Sequence, residues 1–164
     1  LQQKMIRKIQ PQDIQAITDI YNFYVAHSTA TFDLTPLTLA EMQTRLDAIT
    51  AHHPCFVFDT DGEIAGYCYA HPWKKRAAYS QTWETTVYVA PGKERKGIGK
   101  QLMNKLIETC RQAECHSLIA CITEGNEASC RLHEVLGFTQ VSRFKEVGFK
   151  FGKTLGIVDY QLIL

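Results

Sequence analysis

Apolar positions along the chain switch between a helical period and short β-type blocks. Met5 to Ile9 reads as a strand, and Pro11, Gln12 and Asp13 then open a helix with Ile14, Ile17, Ile20, Tyr21 and Tyr24 on one face. Thr38 and Glu41 have capping-box spacing and predict a second helix whose buried stripe is Leu39, Met42, Leu46 and Ile49. Cys55 to Asp59 and Ile64 to Ala70 are β-prone runs joined through Asp61-Gly62, a strong hairpin signal. Trp83 to Val89 is the next strand. A third helix, from about Gly99 to Ala113, turns Leu102, Leu106, Ile107 and Cys110 inward. After a strand at Ser117 to Ile122, Asn126 suits the N-cap of a helix carrying Ala128, Leu132 and Leu136, and Gly137 suits its left-handed end. Phe138 to Phe144 and Ile157 to Leu164 supply the last strands. This order predicts a mixed sheet covered by helices, in the α/β (α+β) class.

A chain of 164 residues, 45% of them apolar, is enough for one hydrophobic core. The domain is expected over residues 5–164, with Leu1 to Lys4 a tag remnant or short extension. Eighteen Lys and Arg against seventeen Asp and Glu leave a net charge of +1, which argues against nucleic acid as the main partner. No apolar run approaches the roughly 20 residues of a membrane span, so a soluble, cytoplasmic protein is expected. The six cysteines contain no C-x-x-C pair and are expected as structural or free thiols. Cys110, Cys115, His116 and Cys121 come nearest to a metal cluster but lack paired short spacing, so no metal site is expected.

Val87 to Lys100 is the most informative segment: a strand running through a basic, glycine-containing turn directly into a helix. Unpaired N–H groups at a helix start and the helix dipole favour an anion there, and Gly97 and Gly99 allow phosphate oxygens close to the backbone. A Rossmann fingerprint would need glycine where Leu102 stands. A P-loop would need Lys and Ser/Thr where Ile98 and Gly99 stand.

The turn resembles instead the coenzyme A pyrophosphate loop of the GNAT N-acetyltransferase superfamily, Gln/Arg-x-x-Gly-x-Gly/Ala. Gly97 and Gly99 match it, while Glu94 replaces the usual Gln or Arg and is expected to point outward. Trp73 to Tyr79, Glu84 to Val89, the Asn126 to Phe138 segment and Val147 to Gly152 narrow the resemblance to the phosphinothricin or methionine sulfoximine N-acetyltransferase branch. That branch implies the GNAT fold, a mostly antiparallel central sheet flanked by about four helices. It also implies acetyl-CoA as co-substrate, no metal, a homodimer and detoxifying acetylation of a small amino acid analogue by direct transfer in a ternary complex. Two other readings stay open: a polyamine or protein amine as acceptor, and a non-catalytic acyl-CoA sensor.

The resemblance also implies roles. Val87, Tyr88 and Val89 would line the pantetheine arm, and Arg95, Lys96, Gly97, Ile98, Gly99 and Lys100 the pyrophosphate. Asn126 would touch the coenzyme, cap its helix, or both. Glu84 would be the general base, buried near Trp83 and Val87 so that its pKa rises, or else a strand-end carboxylate in a salt bridge. His133 is either the acid that protonates the leaving thiolate or a structural helix histidine. Lys74, Lys75 and Arg76, Arg76 foremost, would hold the acceptor's carboxylate, with Trp73 and Tyr79 as walls and Thr85 and Thr86 beside Glu84, or else form an ordinary solvated charge cluster. Phe32 reads as an aromatic lid, or as a core or dimer contact. Tyr160 to Leu164 could supply an interface strand. Cys68 and Cys121 have no sequence neighbour that would activate a thiolate, so no acyl-enzyme is implied.

Overall fold

The computed structural model describes residues 3–164. Strands β1 (Lys4–Lys8), β2 (Cys55–Thr60), β3 (Glu63–Pro72), β4 (Thr82–Val89), β5 (Ser117–Thr123), β6 (Thr139–Lys150) and β7 (Lys153–Ile163) form one seven-stranded sheet in the order β1-β2-β3-β4-β5-β7-β6. Among the described residues, only β4 and β5 pair in parallel. The helices are α1 (Ile14–His27), α2 (Leu39–Thr50), α3 (Ile98–Gln112) and α4 (Glu127–Val135).

The apolar runs are continuous because the central strands are covered on both faces. In β2, Phe56 and Phe58 join the core under α3, built on Leu102, Met103, Leu106 and Cys110. Cys55 and Val57 alternate to the other face, under Ile17, Val25, Met42 and Leu46 of α1 and α2. The capping box of α2 forms as expected, with Thr38 Oγ1 accepting from Glu41 N–H and Glu41 from Thr38 N–H. Its stripe loses Leu39, which is 47% exposed in the first turn. Asp61 (φ 49°) and Gly62 (φ 89°) make the β2–β3 turn. Gly66 lets α3 lie close on β3, since a Cβ there would sit 3.1 Å from Leu102 and 3.2 Å from Ile98.

Three boundaries differ from the sequence reading. Of the extension expected at residues 1–4, residues 1 and 2 lie outside the described residues, but Lys4 pairs with Thr60 and Gln3 N–H donates to Asp61. The last hairpin is longer than the hydrophobic pattern suggests: the ladder resumes after a bulge between Phe144 and Gly148 and runs to Lys150 opposite Lys153. Most of this added strand is exposed, so no buried face imposes a legible period. Finally, β7 lies between β5 and β6, which leaves Tyr160 to Leu164 inside the sheet and makes β6 the edge.

Candidate active site

β4 and β5 part company partway along their length. Their parallel ladder covers Thr82 with Ser117 through Glu84 with Ile119 and then stops, while β4 continues to Val89. Which backbone groups this frees follows from the β3–β4 register. Ala90 N–H donates to Ala65 O and Trp73 N–H to Thr82 O, so the hydrogen-bonded antiparallel pairs include Tyr67 with Tyr88 and His71 with Glu84. Val87 and Val89 therefore aim their N–H and C=O groups at the opening towards β5. Val89 O is partly engaged, accepting from Tyr24 Oη at 2.5 Å.

Tyr88 does not belong to that edge. Its main chain pairs with Tyr67, and its ring packs among Tyr21, Tyr24 and Tyr67 at 5.1–5.7 Å. The same alternation separates Thr85 from Thr86. Thr85 shares the α3 face with Trp83 and Val87 and is buried, its Oγ1 without a hydrogen-bond partner in the described structure. Thr86 and Glu84 face the α1–α2 side.

At the far end of β4, Gly97 in the left-handed region (φ 75°) caps α3, and Gly92 (φ 84°) and Arg95 (φ 63°) shape the preceding turn. Gln101 N–H reaches back to Gly97 O, leaving the N–H groups of Ile98, Gly99 and Lys100 outside the helix ladder. Arg95, Lys96 and Lys100 are exposed around this end, and so is Glu94, as expected. Lys93 turns away to Glu63 on β3, at 3.5 Å.

Glu84 is not buried as the sequence suggests. Its side chain is 30% exposed and Oε2 lies 3.5 Å from His71 Nε2, directly across the β3–β4 pair. Cys121 on β5 feels the Glu84 carboxylate from one side and that of its cross-strand partner Asp159 on β7 from the other. Desolvation first, then these two carboxylates, push the Cys121 thiol up to about 12, and burial likewise raises the Cys68 thiol. Neither cysteine is an activated nucleophile.

His133 is 3% exposed, packs edge-on against Phe138 at 5.0 Å, and donates from Nδ1 to Ser129 O at 2.7 Å. Burial lowers its pKa and so disfavours the charged ring, and in a neutral ring the proton donated to Ser129 O leaves Nε2 without one. This arrangement fits the structural reading of His133. Asn126 caps α4, its Oδ1 accepting from Ser129 N–H at 3.2 Å.

The basic loop lines an open cavity of about 420 Å³ with Lys74, Lys75, Arg76 and Tyr79, and Glu84 is not among its walls. Trp73 and Tyr79 pack edge-to-face at 5.4 Å, and Lys74 Nζ sits 4.5 Å from the Trp73 ring centre. Trp73 and Tyr79 thus hold Lys74, which leaves Lys75 and Arg76 as the unstacked cations.

Phe32 is 37% exposed and its ring occupies the space a side chain at Gly148 would need. The adjoining loop is pinned by Lys150, itself 3% exposed, whose Nζ donates to Thr31 O at 2.8 Å, and by Thr123 Oγ1 donating to Thr29 O at 2.6 Å. Tyr21 and Arg45 converge on Asp33 of the same loop. The sequence reading missed Lys150, Asp33 and Arg45. Only Lys150 left a local signal, a lysine between aromatics in Val147 to Gly152.

Known proteins share this architecture. Residues 6–156 match the family described as an acetyltransferase (GNAT) domain. A phosphinothricin N-acetyltransferase of Alcaligenes faecalis is 38% identical over 95% of this chain and 80% of its own length. An L-methionine sulfoximine/L-methionine sulfone acetyltransferase of Salmonella typhimurium is 34% identical over 97% of this chain and 94% of its own. The crystal structure of a phosphinothricin acetyltransferase from Sinorhizobium meliloti, in complex with AcCoA, superposes with a TM-score of 0.95 at 34% identity, covering 98% of this chain and 88% of that one.

Proposed function

The chain belongs to the GNAT acetyltransferase family, and from that premise we propose that it acetylates the amino group of small amino acid analogues such as methionine sulfoximine, methionine sulfone and phosphinothricin, with acetyl-CoA as co-substrate. One observation supports this most directly: the β4–β5 ladder ends at Glu84, so a carboxylate stands where an unpaired strand edge begins.

The residues present fit the co-substrate. The free edge at Val87 and Val89 suits an amide-bearing arm bound as an added strand, and the N–H groups at the start of α3 suit a pyrophosphate, with Arg95, Lys96 and Lys100 around it. Leu132 of α4 lies against Gly99, and Asn126 caps the start of the same helix. When bound, acetyl-CoA supplies an activated acyl carbon and a thiolate leaving group. Glu84 takes one proton from the acceptor's ammonium, a main-chain N–H of the β4 edge would stabilise negative charge on the acyl oxygen, and the second amine proton, released as the amide forms, would leave on the coenzyme as its thiol. Lys75 and Arg76 attract the acceptor's carboxylate, and Phe32, held on Gly148, covers the acceptor side.

Free-CoA release with methionine sulfoximine, methionine sulfone, phosphinothricin, spermidine and a lysine peptide tests the reading. Turnover is expected with the first three. Preference for spermidine or the peptide would overturn the acceptor class, and tight CoA binding without turnover would favour a sensor. In the same assay Arg76→Ala is expected to raise the acceptor KM about tenfold and leave that of acetyl-CoA unchanged; equal changes would remove Arg76 from the acceptor site.

Two further assignments rest on this reading. The reaction belongs in the cytoplasm, where acetyl-CoA is available; no helix among the described residues is long and apolar enough to cross a membrane. The chain forms a homodimer through edge strand β6, where Phe144, Val147, Phe149 and neighbouring Phe151 are 51–67% exposed. Sedimentation is expected to give a dimer for the wild type and a monomer for Phe149→Asp; a monomeric wild type would refute it.

A further inference from the structure

Glu84 must lose each proton it takes from an ammonium group before it can act again. The groups around it limit where that proton goes. Burial holds the Tyr69 phenol at about 12, desolvation and the adjacent carboxylates hold the Cys121 thiol at about 12, and so neither accepts a proton near neutral pH. Asp159 lies beyond Cys121 on β7, where Ser142 Oγ donates to it at 2.7 Å. His53, beyond the end of α2, is kept neutral by desolvation and by the neighbouring His71 and His52, and it packs on Trp83 instead.

His71 differs from all of these. Its Nδ1 lies 3.0 Å from Pro72 O, a pure acceptor, so Nδ1 carries the proton and donates it. In the neutral ring the lone pair is therefore on Nε2, the atom 3.5 Å from Glu84 Oε2. That separation is just beyond a good hydrogen bond, as catalytic contacts in a free enzyme often are. Both side chains reach solvent, at 31% and 30% exposure.

We propose that His71 is the positioning residue and proton outlet for Glu84, its Nε2 taking the acceptor-derived proton from Glu84 Oε2 and passing it to water. The inference rests on Glu84 being the base. Only protons move. The ammonium N–H bond breaks as the Glu84 carboxylate becomes a carboxylic acid; the O–H bond then breaks as Nε2–H forms and the ring becomes an imidazolium. Nδ1–H stays on Pro72 O throughout. Loss of the Nε2 proton to water restores the carboxylate and the neutral imidazole. The Pro72 carbonyl sets the tautomer, and the cross-strand register sets the reach.

The test compares wild type with His71→Gln, His71→Ala and Glu84→Gln. His71→Gln is expected to lower kcat about tenfold with little change in either KM. The His71→Ala rate is expected to rise several-fold with imidazole concentration at constant pH, while the wild-type rate does not, a response that a merely structural histidine would not give. Nitrogen NMR of the free enzyme should find the Nδ1–H tautomer at His71. In a Glu84→Gln background, His71→Gln should cause no further loss. Unchanged kcat in His71→Gln, absent imidazole rescue, or an Nε2–H tautomer would each overturn the outlet. If Glu84→Gln itself leaves turnover unchanged, the base assignment fails instead, and the two failures are distinguishable.

Discussion

Glu84→Gln is expected to lower kcat with methionine sulfoximine about 100- to 1,000-fold, a barrier increase of about 3–4 kcal/mol, while acetyl-CoA binding stays as in the wild type. The asymmetry follows from where Glu84 sits. Its carboxylate projects to the α1–α2 side at the end of the β4–β5 ladder, whereas the coenzyme-binding groups are main-chain atoms of Val87 and Val89 and the start of α3. Glutamine keeps the size and one acceptor oxygen but cannot take a proton from an ammonium. The expected result is therefore a deficit in kcat and in kcat/KM alike, the pattern of an interaction made in the transition state. Unchanged turnover and an unchanged pH profile would remove Glu84 from the chemistry.

Arg7→Ala is expected to destabilise the fold by about 3 kcal/mol at neutral pH. Arg7 binds Asp13 through both terminal nitrogens, at 2.7 and 2.9 Å, and Asp59 through Nε at 3.0 Å, so one guanidinium ties β1 to the entry of α1 and to β2. Asp13 is 3% exposed, and the variant would leave its charge buried with only the Gln10 N–H at 2.7 Å.

The pH dependence has a definite sign. In the wild type, desolvation pushes the Asp13 carboxyl up, but the Arg7 hydrogen bond, the Gln10 N–H and the Arg7 charge together bring it below its ordinary value. A depressed folded pKa contributes stability above the unfolded carboxylate range, and that stability is lost as pH falls through the folded value. In Arg7→Ala, desolvation acts without its main counterweight and the folded pKa rises. The penalty is then largest near pH 7 and shrinks as acid neutralises Asp13. Urea denaturation at neutral and mildly acidic pH measures this; a loss below about 1 kcal/mol, or one equal at both pH values, would show the cluster to be incidental.

Much of the fold was legible because its signals are local. The Thr38–Glu41 capping box, the Asp61-Gly62 turn and the inner stripe of α3 each lie within a few residues, and all three formed. The glycine turn before α3 was legible for the same reason. The outer half of the last hairpin was not, because Phe144, Val147 and Phe149 project into solvent from an edge strand and no burial enforces a period. Thr85 and Thr86 could have been separated by strand alternation alone, yet which face meets α1 and α2 depends on packing. His133 occupies a matching motif position, but whether it meets the core or a ligand is set by how α4 docks on Phe138 and Tyr160.

By itself, then, the sequence determined the order of elements, the helix starts and tight turns, the phosphate-type loop and the family resemblance, since each depends on residues close together in the chain. The tertiary structure alone decided that His71 faces Glu84, that Val87 and Val89 present an unpaired edge while Tyr88 does not, and that Lys150 holds the loop at Thr31. Those outcomes follow from strand register and sheet order, which bring distant residues into contact through hydrogen-bond parity and the burial of both sheet faces.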